Sequence, residues 1–514
     1  MNLISKSIVI FFFPLCFTAQ NIDLIFGDKS ELYFTFEVKS KTELDMVSKF
    51  ISIDHKSTKD QIYAYANKTE FSDFLKFEID YLLVSESIHK PNISSRSSWN
   101  YYPSYSEYTS TMQAFADSFP SICKLHNLGT LSSGHKLLAI QISDNVGVDE
   151  DEPSFLYTSS MHGNELTGYV LMLRLIDEIL KGYGSNSKYT YLVNEVDIWI
   201  NPLANPDGAY INGDNSVSGA TRYNANGVDL NRNYPDIIDG PNPDGNSWQE
   251  ETIIFMNLAD SVHFNLSCNL HTGAEVFNYP WDRWSNLAAD DDWWQYVSAQ
   301  YADSAHLNSS NGYFNDLNNG ITNGWDWYEI NGGRQDFMNY FKFCREATLE
   351  LSSNKIPPGS LLPNYWIANA PSLINHIEQS TFGLRGIVTD SLTGAPVKAK
   401  VEIIGFDVDS SHVYSDLPVG NYHRYLYQGQ YQVTYSKPGY NSKTITVSIN
   451  NDTPTYLDVQ LSHQNNSVGI EIQKNPKTIV NSYDILGRSN SNQKNRIIIN
   501  NYSDGSSEKK IIIE

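Results

Sequence analysis

His162 and Glu165, in Met161-His162-Gly163-Asn164-Glu165, are the residues of this chain whose types and spacing could do chemistry. They follow an apolar, strand-like run (Phe155-Leu156-Tyr157-Thr158) and open a helix-like one from Leu166 to Leu180. A histidine and a carboxylate three residues apart on a tight strand-to-helix turn can both point at one ion. Zinc suits the pair, and a catalytic zinc takes three protein ligands and keeps a fourth position for water. The third ligand should lie at the end of another strand, and His271 closes the run from Phe264 to Leu270. Between the histidines lies a polar stretch from Arg222 to Tyr234. Its two arginines, Arg222 and Arg232, and Asn231 could form a fork for a carboxylate, because guanidinium is planar and binds carboxylate bidentately. Asp229 could accept the second nitrogen of a ligating histidine and fix its tautomer. The bland reading of the same stretch is a polar loop with surface arginines.

These residues need a scaffold, and residues 99–381 supply its pattern. Strand candidates Lys136 to Ile142, Phe155 to Thr158, Val196 to Ile200, Phe264 to Leu270 and Ala347 to Leu351 alternate with helix candidates such as Leu166 to Lys181 and Glu250 to Val262. The expected class is α/β, with a mixed, largely parallel sheet flanked by helices. In such folds ligands gather outside the carboxyl ends of strands, where His162, Asn205-Pro206-Asp207-Gly208 and His271 fall. Ahead of it, residues 21–98 read as a small α+β domain of βαββαβ order, followed by a linker. Residues 382–462 break into short β-runs and turns, the texture of a small β-sandwich. Residues 463–514 are Asn- and Ser-rich and end in two short apolar strands, Ile497 to Ile499 and Ile511 to Ile513.

With 514 residues the chain is too long for one ordinary core, and two to four domains are expected. A net charge of −23 argues against a nucleic-acid partner, which needs a basic stripe to displace counterions. Residues 1–20 read as a secretory signal: Lys6 supplies the positive charge, and Ser7 to Phe17 is apolar but too short to span a bilayer. No later stretch approaches transmembrane length. After the signal three cysteines remain, Cys123, Cys268 and Cys344, so at most one intrachain disulfide can form.

Taken together, the motifs resemble the zinc metallocarboxypeptidase family, specifically its regulatory branch (carboxypeptidases N, E and D). The matching stretches are Met161 to Glu165, Asn201 to Asp207, Arg222 to Pro235, Asn269 to His271 with Asn278 to Asp282, and Gly320 to Gly324 through Trp327-Tyr328, Gly332 to Asp336 and Glu350-Leu351-Ser352. They keep the family's order over roughly residues 100–460. The resemblance implies a carboxypeptidase-like fold and one zinc held by His162, Glu165 and His271. It implies Glu350 as general base and Arg222 as the cation that polarises the scissile carbonyl. It also implies Asn231 and Arg232 as the clamp on the substrate's terminal carboxylate, with Tyr328 closing over it. Asp282 and Gln335 match positions that line the side-chain pocket, where the acid selects C-terminal Lys or Arg. Glu346, on the same strand face as Glu350, is a rival base, and Tyr340 a rival to Tyr328.

Three residues depart from the branch: Thr272 where glycine is usual, Arg334 where the residue is usually uncharged, and Arg345 in Cys344-Arg345-Glu346. A cation at Arg334 near the pocket would oppose basic specificity. Residues 382–461 are similar to the branch's transthyretin-like domain, and residues 32–85 share the topology of the pro-domain of digestive carboxypeptidases, the alternative being a plain accessory domain. Tyr483 to Arg488, followed by Tyr502 to Ser506 and Lys509 to Ile512, resembles the type IX secretion sorting tail of Bacteroidetes. The expectation is an exported exopeptidase acting on peptide or protein C-termini, with the secretion machinery as a partner through its tail and no integral membrane segment. The alternatives are a carboxypeptidase of neutral or acidic specificity and a catalytically silent peptide-binding homologue.

Overall fold

The structure, a computed structural model, describes residues 22–84 (less 28, 30, 55, 56, 59 and 60), 99–464 (less 311) and 478–512 (less 485, 486, 490–495 and 504). The signal-like segment 1–20 and the linker from 85 to 98 lie outside the described residues. An eight-stranded sheet organises the middle of the chain, in the order Ile321–Asn323, Glu275–Tyr279, Arg345–Leu351, Leu266–His271, Ser154–Ser159, Asp197–Asn201, Lys136–Ile142, Cys123–Thr130. The four inner strands, from Arg345–Leu351 to Asp197–Asn201, run parallel. Antiparallel pairings join them to the strands on either side, which makes the sheet mixed.

Side chains alternate between the faces of a strand, and the two faces are distinct here. One carries Phe155, Tyr157, Ile198, Leu270 and Leu349 against helices Thr167–Gly182 and Leu362–Gln379. The other carries Leu156 and Trp199 against Phe255 of helix Glu250–Val262 and Phe337 of helix Arg334–Phe341. Toward the carboxyl ends of the inner strands this second face turns polar, with Asn269, His271, Thr348 and Glu350. Because these strands are parallel, their carboxyl ends meet at one edge, and the site forms there.

At the N-terminus, strands Ser52–Asp54, Ile62–Asn67, Glu31–Phe36 and Tyr81–Leu83 lie in that order, antiparallel throughout. Helices Lys41–Val47 and Lys68–Phe74 complete the βαββαβ order, the second opened by an Asn67–Glu70 capping box. The core of Phe34, Phe36, Phe71 and Phe74 is completed by Tyr328 and Ile330, which belong to the site loop far along the chain. The small domain therefore packs on the site itself.

Residues 383–461 form two four-stranded sheets around Leu384, Val388, Val401, Val433 and Tyr435. A buried ion network joins them to the central sheet. Asp290 accepts from Arg345 Nε at 2.6 Å and from Arg424 Nη2 at 2.6 Å, and Arg424 also meets Asp407. Arg345, one of the sequence departures, thus anchors the strand that ends in Glu350. Residues 464–514 form a separate unit. Its antiparallel sheet has three strands, Ile479–Asp484, Arg496–Tyr502 and Ser507–Ile512, one more than the apolar runs suggested, because Ile479–Asp484 opens with only two apolar residues, Ile479 and Val480. Cys123, Cys268 and Cys344 are all free and buried, and burial raises each thiol above its ordinary value. Among the described residues, no helix is long and apolar enough to cross a membrane.

Candidate active site

The turn after Ser154–Ser159 brings His162 and Glu165 to the sheet edge. Its tightness depends on a backbone contact: a Cβ on Gly163 would lie 2.3 Å from the Gly208 carbonyl carbon. Asn205 completes the junction, capping Gly208 N at 2.8 Å and donating to the Met161 carbonyl at 3.1 Å. His271, the last residue of its strand, is the cross-strand neighbour of Glu350, so the ladder spacing alone holds the two side by side on one face.

Three donor atoms converge. His271 Nδ1 lies 3.0 Å from His162 Nδ1 and 2.8 Å from Glu165 Oε2, and His162 Nδ1 lies 3.0 Å from Glu165 Oε2. Two imidazole nitrogens and a carboxylate so placed fit a tetrahedral ion, whose ligand–ligand edges are roughly 3.3 Å at zinc bond lengths of about 2.0–2.1 Å. Burial lowers His271 to about 4, so it is neutral at neutral pH, the form that ligates. Burial opposes ionisation of Glu165, but His162 and Lys355 outweigh it and hold the carboxyl well below its ordinary value. Asp229 Oδ1 meets His162 Nε2 at 3.0 Å, and Asp229 Oδ2 accepts from Arg222 Nε at 2.9 Å. Against burial, Arg222 and His162 keep Asp229 ionised. Arg222 also donates to Glu165 Oε1 at 3.2 Å.

Around this centre several buried polar atoms lack a hydrogen-bond partner among the described residues: Glu350 Oε2, His271 Nε2, Arg232 Nη2, Asn278 Oδ1 and Gln335 Oε1. Such atoms are costly unless something polar meets them. Burial, then the Glu165 carboxylate, pushes Glu350 well above the ordinary carboxylate range. Asn231 is fixed by Asp229 Oδ1, which accepts from its N–H at 2.9 Å, and by Arg334 N–H, which donates to its Oδ1 at 2.9 Å. Tyr328 lines the cavity, and its phenol is raised mainly by burial. Asp282 Oδ1 accepts from Asn278 and Gln335, each at 3.0 Å. A Cβ on Gly324 would fall 1.8 Å from that oxygen, so the position requires glycine.

The structure corrects one expectation and shows where the two rival residues lie. Arg334 does not face the pocket. Its guanidinium donates to Thr158 Oγ1 at 2.6 Å and Glu346 Oε2 at 3.1 Å, stacked over Phe255. The cause is helix Arg334–Phe341, which lies over the sheet and turns the long side chain under itself. Glu346 shares a face with Glu350, but that helix covers it, and Arg334, Ser267 and Asn269 use its oxygens. Tyr340 packs on Trp281 and Trp284 instead of lining the cavity. Replacing Arg334 by Met should strand a fully buried Glu346 and lower unfolding free energy by about 3–5 kcal/mol, measured by urea denaturation.

Residues that the motifs did not single out also line the site: Asn278, Thr348 and Lys355 of the central domain, and Ile53, Asp54 and Tyr65 of the N-terminal one. Asn278 lies inside a matched stretch, whereas nothing in the order of residues flags Lys355 or the N-terminal three. Thr272 donates through its N–H to Glu165 Oε2 at 3.2 Å and through its hydroxyl to the Lys355 carbonyl at 3.0 Å.

Comparison with known proteins identifies the family. A family model described as zinc carboxypeptidase, peptidase M14, matches residues 108–372. The chain belongs to the zinc carboxypeptidase family, a family of metallopeptidases that use zinc. It is 36% identical over 407 residues to the carboxypeptidase N catalytic chain of Mus musculus, covering 71% of this chain and 86% of that protein. It is 34% identical over 394 residues to carboxypeptidase D of Homo sapiens, covering 72% of this chain but only 28% of that protein, so it spans about a quarter of that relative. Among solved structures, the carboxypeptidase A of Helicoverpa armigera shares the fold, with a TM-score of 0.54 at 18% identity, over 68% of this chain and 97% of that one.

Proposed function

We propose that this protein is an exported zinc carboxypeptidase that removes single C-terminal residues, preferring Lys and Arg, and that its N-terminal domain keeps it latent until displaced. The observation that carries the catalytic part is the convergence of His162 Nδ1, Glu165 Oε2 and His271 Nδ1 within 3.0 Å of one another, beside Glu350, whose Oε2 has no hydrogen-bond partner among the described residues. When bound there, zinc supplies Lewis acidity and lowers the pKa of a ligated water to about 7. Glu350 takes the proton from the attacking water and passes it to the departing amine, so that one C–N bond breaks as one C–O bond forms. Arg222 stabilises the negative charge that develops on the carbonyl oxygen. Asn231 and Arg232 hold the terminal carboxylate, and Tyr328 closes over it and sheds water. Asp229 fixes the ring of His162 and the guanidinium of Arg222.

Basic preference rests on Asp282. Burial raises its carboxyl to about 6, against the hydrogen bond from Asn278. Its charge, and hence the preference, should be present above that pH and fade below it. On a panel of peptides differing only in the C-terminal residue, Asp282→Asn should lower kcat/KM for Lys and Arg by about 10²-fold, the loss of a desolvated charge pair worth roughly 2–5 kcal/mol, and spare neutral residues. Unchanged release of Arg would favour neutral or acidic specificity.

Latency rests on how little room remains. The site cavity is about 40 Å³, enough for roughly three waters and too small for an amino-acid residue. Glu31 fixes the lid at the turn: its carboxylate accepts from Asn164 Nδ2 at 2.9 Å and from Arg222 N–H at 3.4 Å. Ser52 donates to Asp229 Oδ2 at 3.3 Å, and the Tyr223 hydroxyl and the Gly227 carbonyl meet Glu70 and Asn67. Glu31→Lys would set a cation beside Arg222 and should raise the initial hydrolysis rate of the full chain by about tenfold or more, each 1.4 kcal/mol of lost docking being a factor of ten. Equal rates in progress curves of the two chains would refute latency. Residues 383–461 fit a transthyretin-like spacer that braces the Glu350 strand through Arg345. The 479–512 sheet fits a secretion sorting tail, and capture of a tail fusion by type IX machinery tests it.

A further inference from the structure

We propose that Lys355 is a second specificity determinant, whose ammonium reads the side chain just N-terminal to the bond being cut and favours an aromatic ring there. This rests on the exopeptidase reading above. Lys355 follows Glu350 by five residues, in the loop beyond its strand. Its carbonyl accepts from Leu166 N–H at 3.1 Å and from Thr272 Oγ1 at 3.0 Å. The backbone is therefore pinned between the turn that carries Glu165 and the strand end that carries His271. The side chain is largely buried, and Nζ lies 3.4 Å from Glu165 Oε1.

A substrate's terminal carboxylate goes to Asn231 and Arg232, its last side chain to Asp282, and the scissile carbonyl to the centre beside Arg222. The chain upstream must then leave along the rest of the central-domain lining, which includes Thr272, Gly273 and Lys355. In an extended peptide successive side chains point to opposite faces, so the penultimate one turns away from the Asp282 pocket and toward that wall. The N-terminal domain already places a ring there: Lys355 Nζ stands 3.8 Å from the centroid of the Tyr65 ring. An ammonium within about 6 Å of a ring face is attracted by its quadrupole, more strongly when partly desolvated. Tyr65 thus occupies, from within the chain, the place of the substrate's penultimate side chain.

The test sets peptides in competition on the full-length protein, so that the fraction of molecules with a displaced N-terminal domain cancels from every ratio. The peptides share whichever C-terminal residue is released fastest and carry Phe, cyclohexylalanine, Ala or Glu before it. Phe and cyclohexylalanine match in shape and differ in the π-face. Phe should be preferred over cyclohexylalanine by roughly 3- to 30-fold. That ratio should persist in Lys355→Arg and fall to near one in Lys355→Met, whatever happens to the absolute rate. A ratio near one in the unaltered protein, a ratio unchanged in Lys355→Met, or Glu preferred over Phe would overturn the assignment. Release from none of the peptides would sink the exopeptidase reading itself, and this subsite with it.

Discussion

Exchange of Glu350 for Gln should cut kcat/KM by about 10²–10⁴-fold, the usual contribution of a positioned general base, and leave zinc content and fold intact. The expectation comes from the strand register. Glu350 is paired with His271 across a parallel ladder, so the sheet fixes its backbone beside that ligand and on the same face. Its Oε2 has no hydrogen-bond partner among the described residues, which leaves that oxygen available to a water. Glutamine keeps the size and the hydrogen-bonding reach but cannot take a proton. Burial and the Glu165 carboxylate both push Glu350 upward, and a divalent cation at the three-donor site opposes that push. The base is therefore expected to work only in the metal-loaded protein. Undiminished turnover of a C-terminally basic peptide by the Gln variant would end the account, and Glu346, locked to Arg334, offers no substitute.

Loss of the metal should be as severe. Chelation, or His271→Ala, is expected to reduce peptide hydrolysis by at least about a thousandfold, since a metal ion's charge stabilisation of the transition state is worth several kcal/mol. Added zinc should restore the chelated protein but not the variant. Stability should follow occupancy: a ligand held only by the folded state stabilises in proportion to the logarithm of its concentration over Kd. Thermal unfolding of the chelated protein should accordingly begin at a lower temperature and recover on zinc addition. Metal analysis checks the assignment directly, with near-stoichiometric zinc in the native chain and little in the variant. Activity unmoved by chelator, with no metal found, would favour the silent binding homologue.

Much of the centre was legible because its chemistry is written in short local patterns. His162 and Glu165 sit three apart on one turn, Asp229 precedes Asn231 and Arg232 by two and three residues, and His271 ends a buried strand. The mixed α/β sheet followed from apolar runs alternating with helical ones. Arg334 was misread because spacing along a chain says which residues share a helix and not what that helix covers. The covering, and with it the difference between Glu346 and Glu350 four residues apart on one strand face, depends on where helix Arg334–Phe341 comes to rest.

By itself the sequence pointed to His162 and Glu165 as a local pair and to the order of the elements that carry the site, since these depend on residue type and on separations of a few positions, while His271, the base and the carboxylate clamp came from motif order across the chain. Only the tertiary structure decided that residues 22–84 close over the site, that Tyr328 and Ile330 complete the core of that small domain, and that Lys355 faces both Glu165 and Tyr65. Those contacts join residues hundreds of positions apart. They are set by which apolar surfaces must be buried against one another, a property of whole domains that no local motif records.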